Sequence, residues 1–330
     1  MWMNPWLIFA ICAAVIIVAG RAISNASDEL AERTGLGRAF IGSLLLAGAT
    51  SLPEVAASGS AAFMGSGNLA LGNVFGSNIF NMILLVVGQI FATRHILSNV
   101  SPTHITTAAT GMLLSGIAAL SILAPQPYAF LGAGLDTWLI AVLYIVIMRM
   151  LPGAEQEPEV AAATQARDAE PTTSLTVLWL KFAASAAAIL VAGWFLSKAA
   201  DEIAVITGLG QTFIGSTLLA ASTSLPELTV SIFTARMGAY DLLVGNVLGS
   251  NIFNMVILIV SDLLQPGSTP ILSTGTTGQA VSALVGLVLS GIVIVSLTLP
   301  RREGKFKFSW DMWLILAVYL VGLRMIYQAG

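Results

Sequence analysis

Ten stretches of roughly twenty apolar residues run through this chain, and they leave it few ways to fold. A helix needs about 20 such residues to cross a bilayer. The stretches lie near 5–24, 38–63, 70–93, 104–124, 128–150, 174–198, 210–236, 242–264, 274–299 and 308–328. The second is interrupted at Pro53 and the seventh at Pro226. Barrel strands would alternate with period two, and these runs do not. Composition agrees: 56% of the 330 residues are hydrophobic and 9% charged, where a soluble domain carries about 25% charged residues. That excludes a soluble globular enzyme and a disordered chain. Fourteen Lys+Arg against seventeen Asp+Glu give no basic excess to hold a phosphate backbone, so no nucleic-acid partner is expected. The single cysteine, Cys12, permits neither an intramolecular disulfide nor a CxxC site. The expected fold is an all-α polytopic membrane protein of ten transmembrane helices, with helices 2 and 7 broken and the lipid bilayer as its surroundings. The first run lacks a basic leader and a small-residue cleavage site, so it reads as a retained helix.

Residues 151–173 interrupt the pattern with acids and prolines and read as a solvated linker. They separate a first five-helix block, 1–150, from a second, 174–330. With the N-terminus outside, 12 of the 14 basic residues fall on the cytoplasmic side: Arg21, Arg33, Arg38, Arg94, Arg149, Arg167, Lys181, Arg236, Arg301, Arg302, Lys305 and Lys307. Lys198 and Arg324 fall outside. This asymmetry predicts both termini outside, the linker in the cytoplasm and a multi-pass protein of the cell (inner) membrane.

The two blocks repeat each other. Residues 27–82 align with 200–255 at a constant offset of 173, with 34 identities in 56 positions. The identity concentrates in FIGSLLLAGATSLPE (40–54) against FIGSTLLAASTSLPE (213–227), and in GNVFGSNIFNM (72–82) against GNVLGSNIFNM (245–255). Five is odd, so the second block must enter the membrane from the opposite face. Inverted repeats of this kind place a substrate site near the bilayer midplane, on interrupted helices. A scaffold would let Leu, Ile and Val exchange freely; here the polar mid-membrane segments are the ones retained.

Of seventeen acids, only Glu54 and Glu227 fall in mid-span, and they are the only acids expected to be buried. Ionisable groups at that depth mark functional sites. No mid-span Lys or Arg can pair with them, and a cation is the natural partner. Each ends a TSLPE segment: Thr50, Ser51 and Pro53 before Glu54; Thr223, Ser224 and Pro226 before Glu227. Proline breaks the helix and loosens backbone carbonyls on the preceding turn. Thr50 and Glu54 share a face at i,i+4. Carboxylates, hydroxyls and carbonyls are hard oxygen ligands, suited to Ca2+ or Na+ and unsuited to Zn2+. Asn73, Ser77 and Asn81 form a second polar stripe at i, i+4, i+8, repeated by Asn246, Ser250 and Asn254. Gly72 and Gly76, like Gly245 and Gly249, allow close helix approach. For Asn73, Asn246, Asn78 and Asn251 the alternative is interhelical hydrogen bonding.

These residues resemble the cation/calcium exchanger superfamily, in its prokaryotic sodium/calcium exchanger branch. The resemblance covers essentially the whole chain: two alpha motifs, 37–82 and 210–255, carrying TSLPE and GSNIFN, and a short linker. It implies a secondary transporter rather than an enzyme, with Ca2+ and Na+ as transported ions, no cofactor and a functional monomer. The implied calcium position uses Glu54 and Glu227 with Thr50 and Thr223. An outward sodium position uses Ser224, Ser250 and carbonyls near Ala220 and Thr223. An inward one uses Ser51, Ser77 and carbonyls near Ala47 and Thr50. A middle position adjoins Asn81 and Asn254. The implied alternating access slides the first helix of each half, near 5–24 and 174–198, across the rest.

One residue departs from the branch. Close prokaryotic relatives can carry Asp where this chain has Asn254, so the site holds two carboxylates rather than three. Ca2+ or two Na+ would neutralise it, and Asn254 would stand in for a protonated carboxylate. An Asn254→Asp change that leaves ion coupling and its pH dependence untouched would overturn that expectation. The alternatives are a Ca2+/H+ exchanger using the same site, a passive cation channel and, more remotely, a membrane enzyme.

Overall fold

The computed structural model describes residues 4–34, 48, 50–150, 174–299 and 308–329. Ala47, Arg38, Arg167, the linker 151–173 and the basic stretch 301–307 lie outside the described residues.

The described chain is nearly all helix. In order it runs α1 (Pro5–Thr34), α2 (Leu52–Phe63), α3 (Gly67–Phe91), α4 (Thr103–Leu123), α5 (Leu135–Met150), α6 (Leu175–Thr207), α7 (Gln211–Thr223), α8 (Leu225–Met237), α9 (Tyr240–Leu264), α10 (Thr277–Thr298) and α11 (Trp310–Ala329). By length and composition seven single helices are fit to cross a membrane: within α1, and α3, α4, α6, α9, α10 and α11. The pair α7 and α8, bent by 51° at the break, makes an eighth. Ten spans are not counted among the described residues. α5 has only 16 residues, and the run 38–63 is described only from Gly48 onward.

α1 and α6 are longer than their apolar runs, at 30 and 33 residues. Nothing helix-breaking follows either run until Gly35 and Gly208. Gly208, at φ 67, takes the left-handed conformation that ends α6. One small departure from all-helix stands before α5: a hairpin of β1 (Ala129–Phe130) and β2 (Ala133–Gly134). Leu131 and Gly132 both have positive φ, as a two-residue hairpin turn requires.

α3 and α9 lie at the centre, buried over most of their length and packed on each other. α1 runs along α6, α4 along α10, and α10 along α11. α6 and α11 are mostly exposed. Val18, Leu180, Val191 and Leu320 project from the outer faces of α1, α6 and α11. Broad apolar outer faces of this kind match lipid rather than water.

Small residues set the central distances. A Cβ at Gly72 would lie 2.9 Å from the Thr212 carbonyl oxygen, and one at Gly76 would lie 2.7 Å from that of Ser216. α3 and α7 therefore touch backbone to backbone, next to a π-turn at Gly215–Leu219. Such turns mark sites where a helix is locally widened, often for function.

Candidate cation site

α2 and α8 begin inside apolar runs because of Ser-Leu-Pro-Glu. Proline has no N–H and sits best in a first helical turn, where none is needed. Pro53 and Pro226 occupy that turn of α2 and α8. The serines before them adopt matching turn conformations, φ −88, ψ 6 at Ser51 and φ −88, ψ 15 at Ser224. Glu54 and Glu227 thus fall in the first turns of two helices. The positive N-terminal ends of these helices favour anions.

The two carboxylates are buried, at 1% and 0% exposure, and close enough for the charge of Glu54 to act on Glu227. Each is held by the other repeat. Ser224 Oγ donates to Glu54 Oε1 at 2.7 Å, and Ser51 Oγ donates to Glu227 Oε1 at 3.4 Å. Ser77 and Thr223 lie beside Glu54, and Thr50 beside Glu227. Thr223 Oγ1 donates to Asn73 Oδ1 at 3.3 Å and to the Ala220 carbonyl at 3.2 Å, which brings Ala220 into the same cluster. Of the expected residues, only Ala47 lies outside the described chain.

α3 and α9 supply the second wall. Ser77, Asn81, Ser250 and Asn254 are all buried. Asn81 Nδ2 donates to Asn251 Oδ1 at 3.0 Å, and Asn254 Nδ2 donates to Asn78 Oδ1 at 3.0 Å. Asn78 and Asn251 therefore do tie the central helices together. Six buried side-chain oxygens on these residues have no hydrogen-bond partner among the described residues: Glu54 Oε2, Glu227 Oε2, Ser77 Oγ, Ser250 Oγ, Asn81 Oδ1 and Asn254 Oδ1. They form three pairs at the 173-residue offset. An unpaired buried polar atom costs about 1–3 kcal/mol; Asp136, Ser216, Ser231, Asn246, Ser261 and Gln265 also carry one each, and what sets the six apart is their pairing across the repeat. Hard oxygens of this kind suit Ca2+ and Na+. No group of three or more His, Cys, Asp or Glu fit to hold a metal occurs among the described residues.

Two further acids are buried, which corrects the expectation that Glu54 and Glu227 would be alone: Asp262 at 3% and Asp311 at 0%. Both sit at helix ends and are fully engaged. Asp262 accepts from Gly134 N at 2.8 Å, Thr137 Oγ1 at 2.7 Å and Ile271 N at 2.7 Å. Asp311 accepts from Ser296 Oγ at 2.5 Å, bonds Ser309 and pairs with His95 Nε2 at 3.3 Å. Hydropathy reads both as aqueous-edge acids; their burial comes from loops folding back over the helix ends. Ser58 also went unnoticed in sequence. Its Oγ accepts from Asn73 Nδ2 at 2.9 Å. The signal was present: Ser58 and Ser231 match across the repeat.

A family model described as sodium/calcium exchanger protein matches residues 4–149 and 177–328. The chain is 31% identical over 311 residues to antiporter CaxA of Alkalimonas amylolytica, covering 91% of each. It is 29% identical over 256 residues to inner membrane protein YrbG of Escherichia coli (strain K12), covering 77% of this chain and 78% of that one. Its fold matches a solved structure of the sodium-calcium exchanger NCX_Mj soaked with Na+ and Sr2+. The TM-score is 0.62 and the identity 22%, over 98% of this chain and 99% of that one. The chain belongs to the sodium/calcium exchanger protein family.

Proposed function

We propose that this membrane protein is a secondary active antiporter that exchanges Ca2+ for Na+ by alternating access. The observation that carries this is the set of six unpartnered buried oxygens on Glu54, Glu227, Ser77, Ser250, Asn81 and Asn254. Ca2+ sits between Glu54 and Glu227, with Thr50 and Thr223. Na+ positions lie to either side, one on Ser224, Ser250 and the Ala220 carbonyl, the other on Ser51, Ser77 and the Ala47 carbonyl. A middle position adjoins Asn81 and Asn254. Ca2+ and Na+ compete for one set of oxygens. Two carboxylates in a low-dielectric interior resist occlusion until a cation offsets their charge. The count is −2, matched by one Ca2+ or two Na+, and Asn254 cannot add a third charge.

The architecture that goes with this function is ten spans, in two inverted five-helix blocks, 1–150 and 174–330. The linker 151–173 is cytoplasmic, both termini are outside, and the monomer acts alone in the cell membrane without a cofactor. Support comes from the 173-residue repeat and the side bias of Lys and Arg.

The test is radioactive calcium uptake into liposomes holding the purified protein. A Na+ gradient should drive uptake, and acid should lower it, because protons compete for the two carboxylates. Glu54→Gln and Glu227→Gln should each reduce exchange to background while the protein still melts cooperatively. Exchange retained in both variants would overturn the site. Uptake driven by a pH gradient alone makes the counter-ion a proton. Flux indifferent to any opposing gradient makes the protein a channel.

A further inference from the structure

An asparagine amide has two ends, and only its oxygen can face a cation. Nothing within Asn81 or Asn254 decides which end that is. We infer that Asn251 and Asn78 are positioning residues that fix those two amides with their oxygens toward the ion. This rests on the exchange site proposed above.

The hydrogen bonds run in one direction. Asn251 Nδ2 lies 3.1 Å from the backbone carbonyl of Asn78 and 3.3 Å from Met82 Sδ. A backbone carbonyl only accepts, and a thioether has no proton to give. Asn251 must therefore present its NH2 there and its Oδ1 to the other side. That Oδ1 takes the NH2 of Asn81 at 3.0 Å, which leaves Asn81 Oδ1 as the inward end. The repeat-related set runs the same way, with the thioether as its outer acceptor. Asn78 Nδ2 meets Met255 Sδ at 3.3 Å, its Oδ1 takes the NH2 of Asn254 at 3.0 Å, and Asn254 Oδ1 is left. Asn81 Oδ1 and Asn254 Oδ1 are the ends without a partner. Each lies one helical turn beyond Ser77 or Ser250 on the same face. All four asparagines are buried, with exposures of 5% or less, so little competes with these bonds. Met82 and Met255, like the asparagines, correspond across the repeat. Reversing either amide would turn an N–H toward the cation and leave an oxygen against another oxygen. Polarity is set from outside the site and passed inward through one amide to the next.

Positioning and simple packing make opposite forecasts for two substitutions. Asn251→Leu keeps volume and apolar fit but removes the acceptor for Asn81. Asn251→Asp, held protonated by its burial, keeps an acceptor oxygen toward Asn81 and offers an O–H to the Asn78 carbonyl. We would measure Ca2+ affinity by isothermal titration calorimetry on the full-length purified protein, with a melting curve for each variant. Asn251→Leu should fold and bind Ca2+ about ten- to a hundredfold more weakly, the usual loss when a residue orienting a metal ligand is removed. Asn251→Asp should lose less than about tenfold, below the range for a missing orienting partner. Asn78→Leu and Asn78→Asp should repeat the contrast through Asn254. Wild-type affinity in a folded Leu variant overturns the inference. So does a folded Asp variant that binds Ca2+ about tenfold or more weakly than the parent, and that arm decides if neither Leu variant folds. Glu54→Gln separates the two levels. If it still binds Ca2+, the site itself is wrong. If it loses Ca2+ while Asn251→Leu keeps it, only the positioning role falls.

Discussion

The first and second copies of the repeated segment share most of their polar residues and do not share their surroundings. Asn73 is fully buried, bonded to Ser58 and Thr223. Its counterpart Asn246 is half-buried, and its Nδ2 has no partner among the described residues; neither has Ser231 Oγ, the counterpart of Ser58. The long helices differ too. A Cβ on Gly20 of α1 would meet Pro226 Cγ at 2.8 Å, whereas one on the matching Gly193 of α6 would meet Ala56 Cβ at 2.5 Å. Ala56 corresponds to Thr229, three residues beyond Pro226. At 1.5 Å per residue the two helices are therefore out of step by about 4.5 Å along their broken partners. Equal halves have settled into unequal registers.

The comparison can be broken in three places. The largest contrast is expected from thiol labelling in a Cys12→Ser background. Asn73→Cys should react at least about tenfold more slowly than Asn246→Cys, because a buried site reacts only through an opening that costs ~1.4 kcal/mol or more. Equal rates would mean the two copies are equally closed. Next, Gly193→Ala places a methyl against the rigid Ala56 backbone and should lower stability by about 1–3 kcal/mol. Gly20→Ala meets the edge of a proline ring that can repucker, and should cost less. Matching melting points in detergent would remove the register difference. The smallest contrast is Ser58→Ala against Ser231→Ala. The first strands the buried amide of Asn73 and should cost about 1 kcal/mol or somewhat more. The second removes a hydroxyl that has no partner to lose and should stay within about 0.5 kcal/mol. Equal shifts would show that both serines carry the same bond.

Much of the site was legible in sequence because its chemistry is improbable where it stands. A glutamate in the middle of an apolar run is costly, and Glu54 and Glu227 do so twice at one offset. Pro53 and Pro226 announce the helix starts, since a proline without an N–H fits a first turn and little else. The burial of Asp262 and Asp311 was not legible. Each lies at the edge of its apolar run, and only the folding-back of residues 134–137 and 271 over one, and of His95 and Ser296 against the other, removes it from solvent. The partners of the site residues were likewise invisible. No spacing rule says that Ser224 bonds Glu54 while Ser51 bonds Glu227, 170 and 176 residues away.

By itself, the sequence determined that this chain lies in a membrane, that it is built from a doubled unit, and that two carboxylates with serine, threonine and asparagine oxygens form its polar centre. These follow from solvation: lipid rewards apolar runs and penalises every polar group that lacks a purpose. Tertiary structure alone decided which copy braces which carboxylate, which way each asparagine amide points, and how far α1 and α6 differ in register. The motif residues that the two copies share cannot by themselves say which neighbours each takes. Those arise only when the two halves pack on each other and one arrangement of a nearly symmetric set is occupied.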